Sequence, residues 1–256
     1  MTATAPSPML NKVPEIFLSF WIIKILATTI GETGADFLAF RMGLGLGGTS
    51  LVMGAALLAV LALQLHLRRY VPVVYWLTVV LLSVVGTLVT DNLSDSLGVS
   101  LFVSTGVFAA LLAATFAVWF ASERTLSIHT IVTRRRELFY WAAILFTFAL
   151  GTAAGDLVAE RLAWGYGLSA IIFGSLIAAA TASWYLFRVN VVLVFWIAYV
   201  LTRPFGASIG DLLSQPTTSG GLGFGAAPVS GVFALGIVSL VLFLTLRHRR
   251  AVTAET

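Results

Sequence analysis

The stretch WAAILFTFALGTAAGD, Trp141–Asp156, carries no charge for fifteen residues and then ends on an aspartate, with Glu160 and Arg161 following about one helical turn later. Glycine stands ten residues after the tryptophan, and aspartate five after the glycine. The same spacing occurs at Trp21, Gly31 and Asp36, at Trp76, Gly86 and Asp91, and at Trp196, Gly206 and Asp211. The pattern W-x9-G-x4-D therefore appears four times. Successive aspartates lie 55, 65 and 55 residues apart, and the ten extra residues fall in the basic segment around SIHTIVTRRR. Apolar helices readily share tryptophan and glycine, but they do not place aspartate at a fixed distance from both.

The repeats sit in a chain of 256 residues that is 59% hydrophobic and 10% charged. A soluble domain carries about a quarter charged residues, so the soluble class is excluded. Apolar runs long enough to cross a hydrocarbon core of about 30 Å recur throughout. They predict an all-α polytopic membrane protein with eight transmembrane helices, at 14–37, 49–67, 71–92, 100–121, 138–158, 168–187, 191–213 and 228–246. The repeat units are then 14–70, 71–133, 134–190 and 191–250, flanked by a disordered tail at 1–13 and a short tail at 251–256. Each unit is expected to be a two-helix hairpin. The four units are parallel repeats around an axis along the membrane normal, a pseudo-four-fold arrangement.

Basic residues decide the orientation. Lys12, Arg68, Arg69, Arg124, Arg134, Arg135, Arg136, Arg188, Arg247, Arg249 and Arg250 fall on the side that holds both termini, eleven of the fifteen Lys and Arg. The positive-inside rule puts that side in the cytoplasm, which in a bacterium means the cytoplasmic membrane. The start of the chain lacks the apolar core of a signal peptide. There is no cysteine, so disulfides and thiolate chemistry are excluded.

With its four-fold tryptophan pattern, the chain resembles a bacterial family of uncharacterised integral membrane proteins made of four tandem two-helix repeats, each with a characteristic tryptophan. The resemblance implies the same architecture and supplies no activity.

Chemistry concentrates around the four aspartates. Residues four apart share a helix face, so Glu32 pairs with Asp36, Asp91 with Asp95, and Asp156 with Glu160. Asp211 has Ser208 and Gln215 as oxygen-bearing neighbours, and Thr87 and Thr152 stand one turn before Asp91 and Asp156. Seven of the eleven acidic residues fall in these segments. Carboxylates at a helix C-terminus oppose the macrodipole, so four such placements call for a partner. The nearby basic candidates are Lys24, Arg41, Arg161 and Arg203, which leaves three carboxylates in excess. Oxygen-only ligands suit hard cations of the Mn2+ or Mg2+ class, and clustered carboxylates also share protons.

Other residues carry weaker expectations. Lys24 is read as an internal counter-charge, with snorkelling to the membrane edge as the alternative. Arg203 and Pro204 interrupt the seventh run in the manner of a broken transporter helix, or as an ordinary kink. The glycines serve close helix packing. The tryptophans, about 22 Å from the aspartates at 1.5 Å per residue, act as interfacial anchors or packing residues. The Gly-rich turns lack the context of a phosphate loop, and the histidines lack metal-ligand spacing.

The expected function is a secondary transporter of a hard divalent metal cation, with proton exchange and export preferred over import. Asp36, Asp91, Asp156 and Asp211 form the core of the site, with Glu32, Asp95 and Glu160 beside them. Thr87, Thr152, Ser208, Gln215, Lys24 and Arg203 support it. The expected partners are the cation, protons and the lipid bilayer; homo-oligomers fit the sequence, nucleic acid does not, and no cofactor is expected. The alternatives are a cation channel, a non-transporting scaffold or receptor, and an anion path using Arg41, Arg161 and Arg203. No nucleophile–base arrangement supports an enzyme.

Overall fold

The computed structural model describes residues 11–254, with side chains placed through Leu246. Residues 1–10, 255 and 256, which belong to the two stretches read as tails, lie outside the described residues. The fold is all-α. Its long helices are α1 (Leu18–Asp36), α2 (Gly45–His66), α3 (Pro72–Asp91), α4 (Leu101–Glu123), α5 (Arg134–Asp156), α6 (Gly165–Phe187), α7 (Val191–Ser214) and α8 (Ala226–Ala254). Local chemistry starts several of them. Pro72 opens α3, where its missing N–H costs nothing. The Thr133 hydroxyl accepts from Arg136 N at the start of α5, and the Asn190 side chain accepts from Val192 N and Leu193 N at the start of α7.

Seven of these helices are long and apolar enough to cross a membrane. The exception is α1, whose apolar run is diluted by Lys24, Glu32 and the threonines Thr28, Thr29 and Thr33. Few residues of α2, α4, α6 and α8 are buried, whereas most of those in α3, α5 and α7 are. A belt of exposed Leu, Val and Phe around a buried bundle is the surface of a membrane protein.

The inner helices form a closed ring in which α1 packs on α3, α3 on α5, α5 on α7 and α7 on α1. Glycine makes each joint. Gly31 lies against Ser83, Gly86 against Phe148, Gly151 against Arg203 and Pro204, and Gly206 against Thr28. Each joint thus sets the glycine of one repeat against the position three residues before the glycine of the next. A Cβ on Gly86 would lie 2.6 Å from Phe148 Cβ and 3.1 Å from Ala149 N, so no larger residue fits without parting the helices. Threonines tie the same joints, with Thr29 Oγ1 donating to Gly206 O at 3.1 Å and Thr90 Oγ1 to Ala149 O at 3.1 Å.

The outer helices are offset by one repeat. Helix α2 packs on α3, α4 on α5 and α6 on α7, and α8 returns to α1. The packed hairpins therefore straddle repeat boundaries, in place of the self-contained hairpins expected from the repeat. Each repeat depends on the next, and the last depends on the first.

The structure decides between the paired expectations at the tryptophans and at Pro204, and corrects the expected disorder at the end of the stretch 1–13. Trp76, Trp141 and Trp196 are buried in an aromatic cluster with Phe20, Tyr75, Tyr140, Phe195 and Tyr199, so packing, not interfacial anchoring, accounts for them. Pro204 does not break α7, which runs through it from Val191 to Ser214. In the stretch read as a tail, Lys12 and Val13 are buried. Lys12 Nζ pairs with Glu137 Oε2 at 2.5 Å and donates to Gln64 O at 3.1 Å.

The joints predict a sharp contrast between glycines. Gly86→Ala should destabilise the protein by about 1–3 kcal/mol, the usual cost of overpacking. Gly54→Ala, with no atom within 4 Å of its new Cβ, should be neutral or slightly stabilising, as read by thermal unfolding in detergent.

Candidate functional site

Steps of four residues along the inner helices generate a stack of inward layers. The aromatic end holds Phe20, Tyr75, Tyr140 and Phe195; the next layer holds Lys24, Val79, Ile144 and Tyr199; the third holds Thr28, Ser83, Phe148 and Arg203. Above these lie Glu32, Thr87, Thr152 and Ala207, and then the four aspartates. Thr28 and Ser83 of the third layer lie in the glycine joints, whereas Arg203 and the Phe148 ring reach across to other helices.

At the acidic end the axis opens into a cavity of about 280 Å³. Its lining contains Glu32, Asp36, Asp91, Asp95, Asp156, Glu160 and Asp211, all seven acids singled out from the sequence, together with Gln215 and Ser94. Glu32 and Asp211 are buried, Asp36, Asp91 and Asp156 are half-buried, and Asp95 and Glu160 stand exposed at the mouth. One carboxylate oxygen from each of Glu32, Asp156 and Asp211 lies within 4.8 Å of the other two. Hard cations collect oxygen ligands in such a setting, with water completing the shell.

The backbone around the aspartates contains a feature that sequence reading missed. Helices α1, α3 and α5 each end on their aspartate and pass directly into a five-residue π-helical turn, at Phe37–Arg41, Asn92–Ser96 and Leu157–Arg161. The wide i→i+5 bonds run from Met42 N to Phe37 O, Leu97 N to Asn92 O and Leu162 N to Leu157 O. The turn prolongs the helix and keeps Phe40, Asp95 and Glu160 at the cavity. π turns of this kind often accompany functional sites. No composition signal marks them. In the fourth repeat α7 ends instead before Pro216.

Arg203 forms the floor. Its guanidinium Nη2 donates to Glu32 Oε2 at 2.8 Å, to Thr152 Oγ1 at 2.7 Å and to Thr87 Oγ1, while Nη1 donates to Thr28 O at 2.7 Å. It thereby engages every oxygen-bearing member of the layer below the aspartates. Gly151 makes room for the stem of this side chain. Arg41 and Arg161 are exposed and make no ion pair among the described residues.

Lys24 is fully buried and does not snorkel. Its ammonium lies 4.4 Å from the Phe148 ring centre and 4.3 Å from that of Tyr199, and meets no hydrogen-bond acceptor. Glu32 is held by Arg203, so Lys24 is a buried amine without a carboxylate beside it. Beyond it the Tyr75 and Tyr140 hydroxyls share a hydrogen bond of 2.5 Å. Ser208 is buried away from the cavity lining and its hydroxyl is unpartnered. Two contacts add to the sequence reading: the Tyr166 hydroxyl donates to Glu160 Oε1 at 3.2 Å, and Gln215 Nε2 donates to Asp36 Oδ2 at 3.3 Å.

A buried amine with only aromatic faces around it is a cost to folding, because cation–π attraction of about 2 kcal/mol replaces hydration incompletely. Lys24→Met, of similar shape, should therefore raise stability in detergent unfolding, since a buried polar group without a hydrogen-bond partner costs about 1–3 kcal/mol. A loss of stability would show that the ammonium has a partner on which the fold depends.

Comparison with known proteins follows the tryptophan register. A family model described as a Repeat of Unknown Function (DUF347) matches residues 19–70, 74–125, 139–190 and 194–250, each match beginning two residues before its tryptophan. No curated protein and no solved structure gives a significant match. Four tandem copies cover most of the chain, and the protein belongs to the DUF347 repeat family.

Proposed function

We propose that this protein is a secondary transporter that exchanges a hard divalent cation, of the Mn2+ or Mg2+ class, for protons. On this reading α1 is the eighth span. Its Lys24 and Glu32 face the ring interior and α8 packs along its outer side, so the hydropathy it lacks is not needed against lipid. The four repeats run parallel around a pseudo-four-fold axis, and the glycine joints between equivalent positions support this. Both termini lie in the cytoplasm of a bacterium, the acidic cavity faces outward, and export is the preferred direction.

The observation that carries the proposal is the convergence of seven carboxylates from four helices on one cavity, against one guanidinium in contact. Charges confined at this density inside a membrane protein pair, take protons or bind metal. Binding metal while giving up protons leaves the total charge little changed, which is the chemical basis of exchange.

A carrier fits better than a channel because the axis is filled below the cavity. Arg203, Lys24, Phe148 and the tyrosines occupy it and are all fully buried. An anion path is disfavoured by the exposure of Arg41 and Arg161 and by the engagement of Arg203 with Glu32.

A cation panel tests the site. Mn2+ or Mg2+ at a hundred times its dissociation constant should stabilise purified protein by about 2.7 kcal/mol, with Ca2+, Co2+ and Zn2+ run for comparison. Asp156→Asn and Asp211→Asn should lose most of that gain. In proteoliposomes, Mn2+ flux should saturate and should collapse when the proton gradient is dissipated. If no cation separates the wild type from these variants, the transporter reading fails and the scaffold reading takes its place. Unsaturable flux that is indifferent to pH would establish a channel.

A further inference from the structure

We infer that the Arg203–Glu32 pair is the inner gate of the cavity, and that a divalent cation bound among the carboxylates opens it by drawing Glu32 away from the arginine. The inference rests on the cation-transport reading and adds how the filled axis is released.

Glu32 is the one residue that belongs to both assemblies. Its Oε2 accepts from Arg203 at 2.8 Å, and it supplies an oxygen to the cluster with Asp156 and Asp211. A cation placed among those three carboxylates shares the electron pairs of Glu32 with the guanidinium, so binding weakens the ion pair. Arg203 in turn is what closes the layer below the aspartates. Its guanidinium spans Glu32, Thr87 and Thr152, and Ala207 is the fourth member. Without the guanidinium, two threonine hydroxyls and a methyl group surround the axis at that level.

The anchorage of Arg203 suits a part that moves. Nε has no hydrogen-bond partner, so the head is held through its two outer nitrogens alone. Pro204 follows it, and proline removes one backbone hydrogen bond of the preceding turn, which lets α7 pivot where the gate is mounted. Gly151 faces both Arg203 and Pro204 with no side chain of its own. The next layer holds Lys24, whose fully buried side chain fills the space beneath the guanidinium and leaves it no room to settle deeper once Glu32 lets go.

The chain has no native cysteine, so a single thiol reports access to the axis. Ile144 lies in the Lys24 layer, beyond the gate, and is fully buried. Ile144→Cys in otherwise intact protein, reconstituted in vesicles, is exposed to a small cationic methanethiosulfonate added at the acidic face. Labelling should be slow with chelator present and at least tenfold faster in saturating Mn2+. Adding Glu32→Gln should give the fast rate without Mn2+, and Arg203→Lys an intermediate one.

Mn2+ that stabilises the protein without changing the labelling rate overturns the gate and leaves the transport reading intact. If Mn2+ fails to bind, the transport reading falls, and Glu32→Gln alone then decides the latch: fast labelling supports it, unchanged labelling overturns it. Fast labelling with chelator in the intact pair also overturns it. The Mn2+ arm uses unaltered Glu32 and Arg203, so the gate is tested even where a variant of the pair does not fold.

Discussion

Four glycines set the distance between the inner helices, and the site depends on that distance. At Gly86 the neighbouring Phe148 Cβ and Ala149 backbone occupy the space a side chain would need, and the other three joints repeat the arrangement. Helices this close leave an axis only wide enough for one side chain per layer per helix. Whatever residue recurs at the right phase must then meet its counterparts. Aspartate recurs at that phase, one turn above Glu32, Thr87, Thr152 and Ala207, and the cavity of about 280 Å³ is the result. Thr29 and Thr90, donating across the joints to Gly206 O and Ala149 O, add hydrogen bonds in a place where the hydrophobic effect offers little, since lipid is as apolar as the helices themselves.

The offset packing of the outer helices explains why the ring has no free edge. A hairpin that closed on itself would give four modules held together only by their glycine joints. Here α2, α4 and α6 each brace the following repeat, and α8 braces α1. Thr33 of α1 and Ser230 of α8 share a hydrogen bond of 2.6 Å at this closing joint. The buried pair of Lys12 with Glu137 is a second brace, tying the segment before α1 to α5 at the end opposite the cavity. Removing either partner of such a pair strands a charge without water, so this contact favours one register of the N-terminal segment over others.

Much of the architecture was legible in the sequence because hydropathy reports it directly. The runs at 71–92 and 191–213 became Pro72–Asp91 and Val191–Ser214. The run at 138–158 began too late, since Arg134–Glu137 form a charged first turn on the Thr133 cap, and charge hides a helix start from an apolar pattern. The seven acids came together because they share both a period and a depth. Arg203 was named as a supporting residue, but its partners are Glu32, Thr87 and Thr152 on three other helices, and no local spacing encodes a contact between residues 171 apart. The π turns were invisible for a different reason: a backbone that widens by one residue keeps an ordinary composition. From the sequence alone Pro204 allows either a break or an ordinary kink, and α7 runs through it from Val191 to Ser214.

Repetition and exception play separate roles along the axis. Aspartate recurs at the cavity in every repeat, although only Asp156 and Asp211 join Glu32 in the close cluster. The layers beneath differ from repeat to repeat. Glutamate stands once at the next level, arginine once below that, and lysine once below the arginine. A ring of four identical charges at any of these lower levels would repel itself in a medium that screens poorly, and each of them carries its ionisable residue in single copy among neutral residues of its own level. Thr87, Thr152 and Ala207 are the neutral neighbours of Glu32, and Ser83, Thr28 and Phe148 those of Arg203. On the proposed reading, duplication built the cavity, and divergence of one repeat at a time supplied the parts that distinguish its inner side from its outer one.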